Sequence, residues 1–186
     1  KSDFEKIQSL GRFDQAVNHV PIQTGIGRGG GYKPHAAAQT FAKRYGDCKD
    51  KANLLRSMLK VVGITAYPVA IYSGDRNFVD ANWPSPQAFN HAISAIAVPD
   101  SFNAPAVATH PKLGRLLFFD PTDPYIPVGS LPGHEQGSNA LVIDATRGGL
   151  IKAPAPTPDP NLWVRKVDAT LRADGGVEGV VSEKRQ

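Results

Sequence analysis

The stretch Arg44 to Gly63, RYGDCKDKANLLRSMLKVVG, decides the fold and carries the only cysteine of the chain. Asp47 is a good N-cap, and Asp50 follows three residues later as its acidic capping partner, so a helix starts at Cys48. Ala52, Leu55, Met58, Leu59 and Val62 recur at helical spacing and form its inward face. Gly63 ends it, because glycine accepts the left-handed cap conformation. Cys48 thus falls in the first helical turn. There, unpaired backbone N–H groups and the helix dipole favour a thiolate. Arg44 and Lys49 add positive charge, while Asp47 and Asp50 oppose it. The local sequence alone leaves open whether Cys48 is a reactive thiol or a small buried hydrophobe.

Upstream, Phe4, Ile7, Leu10, Phe13 and Val17 mark an amphipathic helix over residues 2–16 that Gly11 interrupts. VNHVPIQTG reads as a short strand, placed at an edge by Pro21. GIGRGGGYKP, residues 25–34, is a flexible loop. Its Gly25, Gly27 and Gly30 spell the dinucleotide fingerprint, but Tyr32, Lys33 and Pro34 stand where a helix should open, and no second strand precedes Asp50, so a nucleotide fold is rejected. From Pro34 a helix runs through HAAAQTFAKRY and is expected to end at Gly46.

Downstream, TAYPVAIY (65–72), FNHAISAIAVP (89–99) and GRLLFFDPTDP (114–124) read as strands, the last ending at Asp120, with polar or long loops between them. His91, Ile93, Ala95 and Ala97 share one face of the second. ALVIDATRGGLI (140–151) is a hairpin turning at Arg147 to Gly149. Strands in succession, with helices gathered at the front, define an α+β fold in which N-terminal helices pack on an antiparallel sheet. We expect one domain over 1–152, a proline-rich linker over 153–161, and at 162–186 a strand, Asp-Gly turn and strand opening a truncated C-terminal β domain.

Composition narrows the function. The 186 residues suffice for one sizeable core; 41% hydrophobic and 20% charged residues are ordinary for a globular domain, leaving little room for wholesale disorder. The net charge of +4 comes from scattered basic residues, not a stripe, so no nucleic-acid surface is indicated. No stretch approaches the ~20 apolar residues of a membrane span, and a lone cysteine forbids an intrachain disulfide. His35, His110 and His134 stand singly, without ligand spacing, so no metal site is expected.

Taken singly, His91 is a core histidine and Asp120, before Pro121, a turn former. If their strands are neighbours and the Arg44–Gly63 helix packs on the same face, Cys48, His91 and Asp120 become nucleophile, base and orienting carboxylate, and the three together favour catalysis. Asp123 is the rival for the third role. Asn90 alternates to the opposite face and is structural. Trp83 and Tyr125, in proline-rich loops, are candidates to line an acceptor groove or to serve packing.

YGDCKDKANLLRSMLKVVGITAYPVAI, FNHAISAIAVP and LLFFDPTDPYIPVGSLP, in that order, resemble bacterial transglutaminase-like domains of the transglutaminase core superfamily. The resemblance covers about Tyr32 to Ile151. It implies a papain-related core, with Cys48 as nucleophile, His91 as base and Asp120 as third member. The chemistry would be attack on a peptide or carboxamide carbonyl through a thioester, with release to water or an amine, so the class is cysteine protease, amidase or acyltransferase. The implied partners are a peptide or protein substrate and adjacent β domains of a longer chain, with no cofactor. The implied location is the periplasm or cell envelope. The backbone N–H of Cys48 is the natural first oxyanion donor, and His19 aligns where such relatives often carry a hydroxyl-bearing aromatic residue, which makes it the candidate second donor. DPTDP lacks the ligand density of a calcium loop, so the calcium dependence of animal relatives does not carry over. The reading from another class is a silent scaffold of the same fold that binds a peptide or cell-wall fragment.

Overall fold

The computed structural model describes residues 2–21, 31–83, 85–157 and 162–185. The chain divides into two compact units, Lys1–Ala155 and Pro156–Gln186. The first is built of helix α1 (Asp3–Gln15), strand β1 (Asn18–His19), helix α2 (Ala37–Lys43), strand β2 (Tyr45–Gly46), helix α3 (Cys48–Val61) and strands β3 (Ala66–Ile71), β4 (His91–Ala97), β5 (Val107–His110), β6 (Gly114–Phe119), β7 (Asn139–Val142) and β8 (Gly149–Lys152). The second carries β9 (Trp163–Leu171) and β10 (Val177–Arg185), an antiparallel hairpin. Strands β3 to β8 form one six-stranded sheet in the order β5-β6-β4-β3-β7-β8, every pair antiparallel. The fold is therefore α+β. Among the described residues no helix is long and apolar enough to cross a membrane.

Helix α1 runs unbroken through Gly11, contrary to the expected interruption. Its start is fixed by a capping box: the Ser2 hydroxyl accepts from Glu5 N–H, while the Glu5 carboxylate accepts from Ser2 N–H. Such a cap contributes about 1 kcal/mol. Gly11 is required by close packing instead, since a Cβ there would lie 2.8 Å from Val128 Cγ2 and 3.2 Å from Phe119 Cε1. Helix α2 ends at Arg44, not Gly46. Arg44 takes the left-handed conformation at φ 59°, and its guanidinium carbon lies 4.4 Å from the centre of the Phe13 ring. That contact offsets part of the cost of a non-glycine residue in this region. Gly46 is again a packing residue: a Cβ on it would meet Asp50 Cβ at 2.7 Å.

Helix α3 packs on β3 and β4. Leu54, Leu55 and Leu59 are buried, Met58 is partly buried, and Val62, expected on the inner face, is the half-exposed C-cap. Residues 98–111, expected as a long loop, contain β5, which pairs with β6 from Val107↔Leu117 to His110↔Gly114. Four residues with two β-branched members are too short to show a periodicity, and the partner strand defines them. Both faces of the sheet centre are covered. Ile93, Ser94, Ala95 and Ile96 of β4 and Leu116 to Phe119 of β6 are all fully buried. The catalytic candidates thus sit at the ends of the strands that form the buried centre of the sheet.

Candidate active site

Cys48 is the first residue of α3, capped as the sequence predicts. Asp47 accepts from Asp50 N–H at 3.1 Å, and Asp50 accepts from Asp47 N–H at 3.3 Å. The two acids beside the thiol are engaged elsewhere. Asp47 pairs with Lys49, and Asp50 accepts from His35 N–H at 2.7 Å and faces His35 Nδ1 at 3.0 Å. Burial alone would raise the Asp50 carboxyl, but the His35 contacts and Asp47 N–H hold it below the usual carboxylate range. His35, isolated in sequence, is thus a clamp on the start of α3, and Asn53 Nδ2 holds its carbonyl at 2.9 Å.

His91 opens β4 opposite Ile71 of β3. The preceding Asn90 points away and clips the strand end to β3's exit, accepting from Ser73 N–H at 2.8 Å and donating to Ser73 O at 3.1 Å. Strand β6, on the other side of β4, ends at Phe119, so Asp120 follows directly beside His91. His91 Nε2 lies 3.1 Å from Asp120 Oδ2. Asp120 is buried and also accepts from Thr122 N–H at 2.8 Å and Thr122 Oγ1 at 3.0 Å. Burial would raise its pKa, yet hydrogen bonds from His91 and Thr122 and the His91 charge lower it. Asp123 has a different task, capping the backbone N–H groups of Tyr125 and Ile126. The loop is pinned to α1, where Gln15 Nε2 donates to the carbonyls of Asp123 and Ile126, each at 2.8 Å.

With Nε2 turned to Asp120, the other ring nitrogen is left for Cys48, to which His91 is hydrogen-bonded. The sulfur also receives hydrogen bonds from His19 and from Ala92 N–H. His19 is brought there by a two-residue parallel pairing, in which His19 faces Gly46 and Val20 N–H donates to Gly46 O at 2.9 Å. Burial pushes the thiol pKa up, but these donors and the His91 charge more than offset it and bring it to about 6. For His91, burial favours the neutral ring, but Asp120 and Cys48 carry its pKa up to about 10. Both shifts favour a thiolate facing an imidazolium.

The structure therefore brings together the four residues singled out from the sequence, His19 and His91 at the Cys48 sulfur and Asp120 behind the His91 ring. Trp83 and Tyr125 are both highly exposed. Three buried ionisable residues of this neighbourhood were missed. Glu135 lies against His91, its Oε1 3.5 Å from Nε2. Lys51, one turn beyond Cys48, donates from Nζ to Val17 O at 2.5 Å and Gln15 O at 3.4 Å, and its charge acts on Asp14 and Asp120. Asp14 is fully buried, and burial lifts its carboxyl to about 8 against the pull of Lys51. Lys51 carried a sequence signal, because positions 48, 51, 52, 55 and 59 share a helical face. Glu135 carried none, since HEQG reads as an exposed turn. His91, Asp120 and Glu135 have ligand atoms within 4.8 Å of one another, and His91 Nε2 and Asp120 are hydrogen-bonded to each other.

Comparison with protein-family models, curated proteins and solved structures returns no match.

Proposed function

We propose that this chain is a transglutaminase-like cysteine enzyme with a papain-related core, acting on peptide or carboxamide bonds. One observation carries the reading: Cys48, at a helix N-terminus, is hydrogen-bonded to His91, whose Nε2 is held by buried Asp120. The thiolate would attack the carbonyl carbon, with the oxyanion received by the Cys48 N–H and His19. His91 would then pass its proton to the leaving amine as the carbon–nitrogen bond breaks and the thioester forms. Water or a second amine would add to the thioester while His91 takes back a proton, regenerating the thiolate–imidazolium pair. Asp120 holds the ring in orientation throughout and stabilises its charge.

The test is intact-mass spectrometry after exposure to a panel of peptide amides and thiol-directed peptide probes. A covalent acyl adduct on Cys48, absent in Cys48→Ala and lost on adding an amine or on standing in water, is the expected result. A folded protein that binds such peptides and never forms the adduct would instead be a scaffold of the same fold.

A further inference from the structure

Glu135 sits in the turn before β7, fully buried, and as an anion neither of its carboxylate oxygens has a hydrogen-bond partner. Its neighbours are Asp120 and His91, whose ligand atoms and its own all lie within 4.8 Å of one another, Asp123, and His134, whose Nε2 is 4.0 Å from Oε1. Around Asp120, Lys51 projects from α3 and Asp14 from α1. Two buried carboxylates this close repel when both are ionised, and a proton on one of them removes the repulsion and lets it donate to the other. Asp120 already receives Thr122 N–H, Thr122 Oγ1–H and His91 Nε2–H, which are three donors to its anion. Glu135 receives none, so the proton belongs on Glu135. Burial and the Asp120 charge accordingly push the Glu135 carboxyl up to about 9.

We propose that Glu135 is a positioning residue, a neutral carboxylic acid whose O–H donates to Asp120 and fixes that carboxylate against Nε2 of His91. The inference rests on the nucleophile reading of Cys48 for its purpose, though its geometry can be measured separately. With Glu135 neutral, the negative charges of Cys48 and Asp120 are balanced by His91 and Lys51. An ionised Glu135 would leave an uncompensated charge buried behind the imidazolium, which is costly.

The test compares the wild type with Glu135→Gln, which keeps an N–H donor and cannot ionise, and Glu135→Leu, which keeps bulk and loses the donor. Each is followed by the His91 Nε2–H resonance in proton NMR, by the infrared band of protonated carboxyl groups, and by the pH dependence of Cys48 alkylation. Glu135→Gln should lose one protonated-carboxyl band at neutral pH while keeping the Nε2–H resonance and the alkylation profile. Glu135→Leu should move or broaden the resonance and slow alkylation at neutral pH about tenfold, the order of one hydrogen bond to a charged group. An unchanged infrared spectrum in Glu135→Gln, a wild-type resonance in Glu135→Leu, or a wild-type resonance that shifts on chelation and so reports a cation would each overturn the proposal. If Glu135→Leu does not fold, the Glu135→Gln spectra decide, band lost with resonance kept being the supporting result. Alkylation of the wild type like that of a free thiol, with the NMR and infrared results as expected, would sink the nucleophile reading and leave the Glu135 geometry standing.

Discussion

The side chains of His91 and Asp120 meet at 3.1 Å although 29 positions separate them in sequence, because β4 and β6 are neighbours in the sheet and the one begins where the other ends. The imidazolium this contact supports stabilises the Cys48 thiolate, which is deprotonated above about 6. Iodoacetamide labelling of Cys48 should rise through an inflection near that pH, well below the ~8.5 of a free thiol. His91→Ala removes the cation and one donor, so the inflection should climb by more than about one unit, with Asp120→Asn giving a smaller rise. Turnover needs thiolate and imidazolium together, so it should appear as pH rises through about 6 and fade as it rises through about 10. A wild-type inflection no lower than that of His91→Ala would contradict this.

His19 touches the Cys48 sulfur, and in the proposed reaction it is the side-chain donor to the oxyanion. His19→Ala should reduce kcat by about 10²-fold with little change in KM, the usual cost of one oxyanion donor. The thiol inflection should also rise, since a donor to the thiolate has gone. Steady-state kinetics on any substrate that acylates Cys48 checks both, and a change confined to KM would assign His19 to substrate binding.

Lys51 and Asp14 should differ in their importance to stability. Lys51 Nζ closes the C-terminal end of α1 through two carbonyls and balances Asp120, so Lys51→Met should cost about 3 kcal/mol, as expected when one partner leaves a buried charge. Asp14, its carboxyl raised to about 8, is largely neutral at pH 7, and Asp14→Asn should cost less than about 1 kcal/mol. Urea denaturation of the two variants at pH 7 measures the difference, and equal losses would refute it.

Gly11→Ala replaces glycine with the best helix former, worth about 1 kcal/mol in an open helix. Here the new methyl would sit 2.8 Å from Val128 and 3.2 Å from Phe119. Overpacking of this kind costs roughly 1–3 kcal/mol, so the net effect on thermal unfolding should be destabilising. A raised Tm would show that the Val128 side chain gives way freely.

These examples also show which features the sequence discloses. The start of α3 is legible because Asp47 and Asp50 form its cap within four residues, and local hydrogen bonds leave a local signature. Gly11 and Gly46 mislead for the opposite reason. Both look like breaks, yet each answers to a residue brought close by folding, Val128 for one and Asp50 for the other. The strand ends bearing His91 and Asp120 are visible, since apolar runs of buried strands stop there. Their adjacency is a property of the strand order. Glu135, Asp14 and Lys51 are charged residues whose burial depends on partners distant in the chain, and no pattern around Glu135 or Asp14 announces it.

The sheet order β5-β6-β4-β3-β7-β8 has a consequence for the timing of biogenesis. Synthesis delivers His19 and Cys48 first, His91 next, then Asp120, and Glu135 last. Until β6 has emerged and paired with β4, the imidazole has no carboxylate behind it and its hold on the thiolate is incomplete. Non-local strand pairing of this kind forms late. The nascent chain therefore passes through early folding with a less acidic sulfur, and the full depression of the Cys48 pKa waits on completion of the sheet.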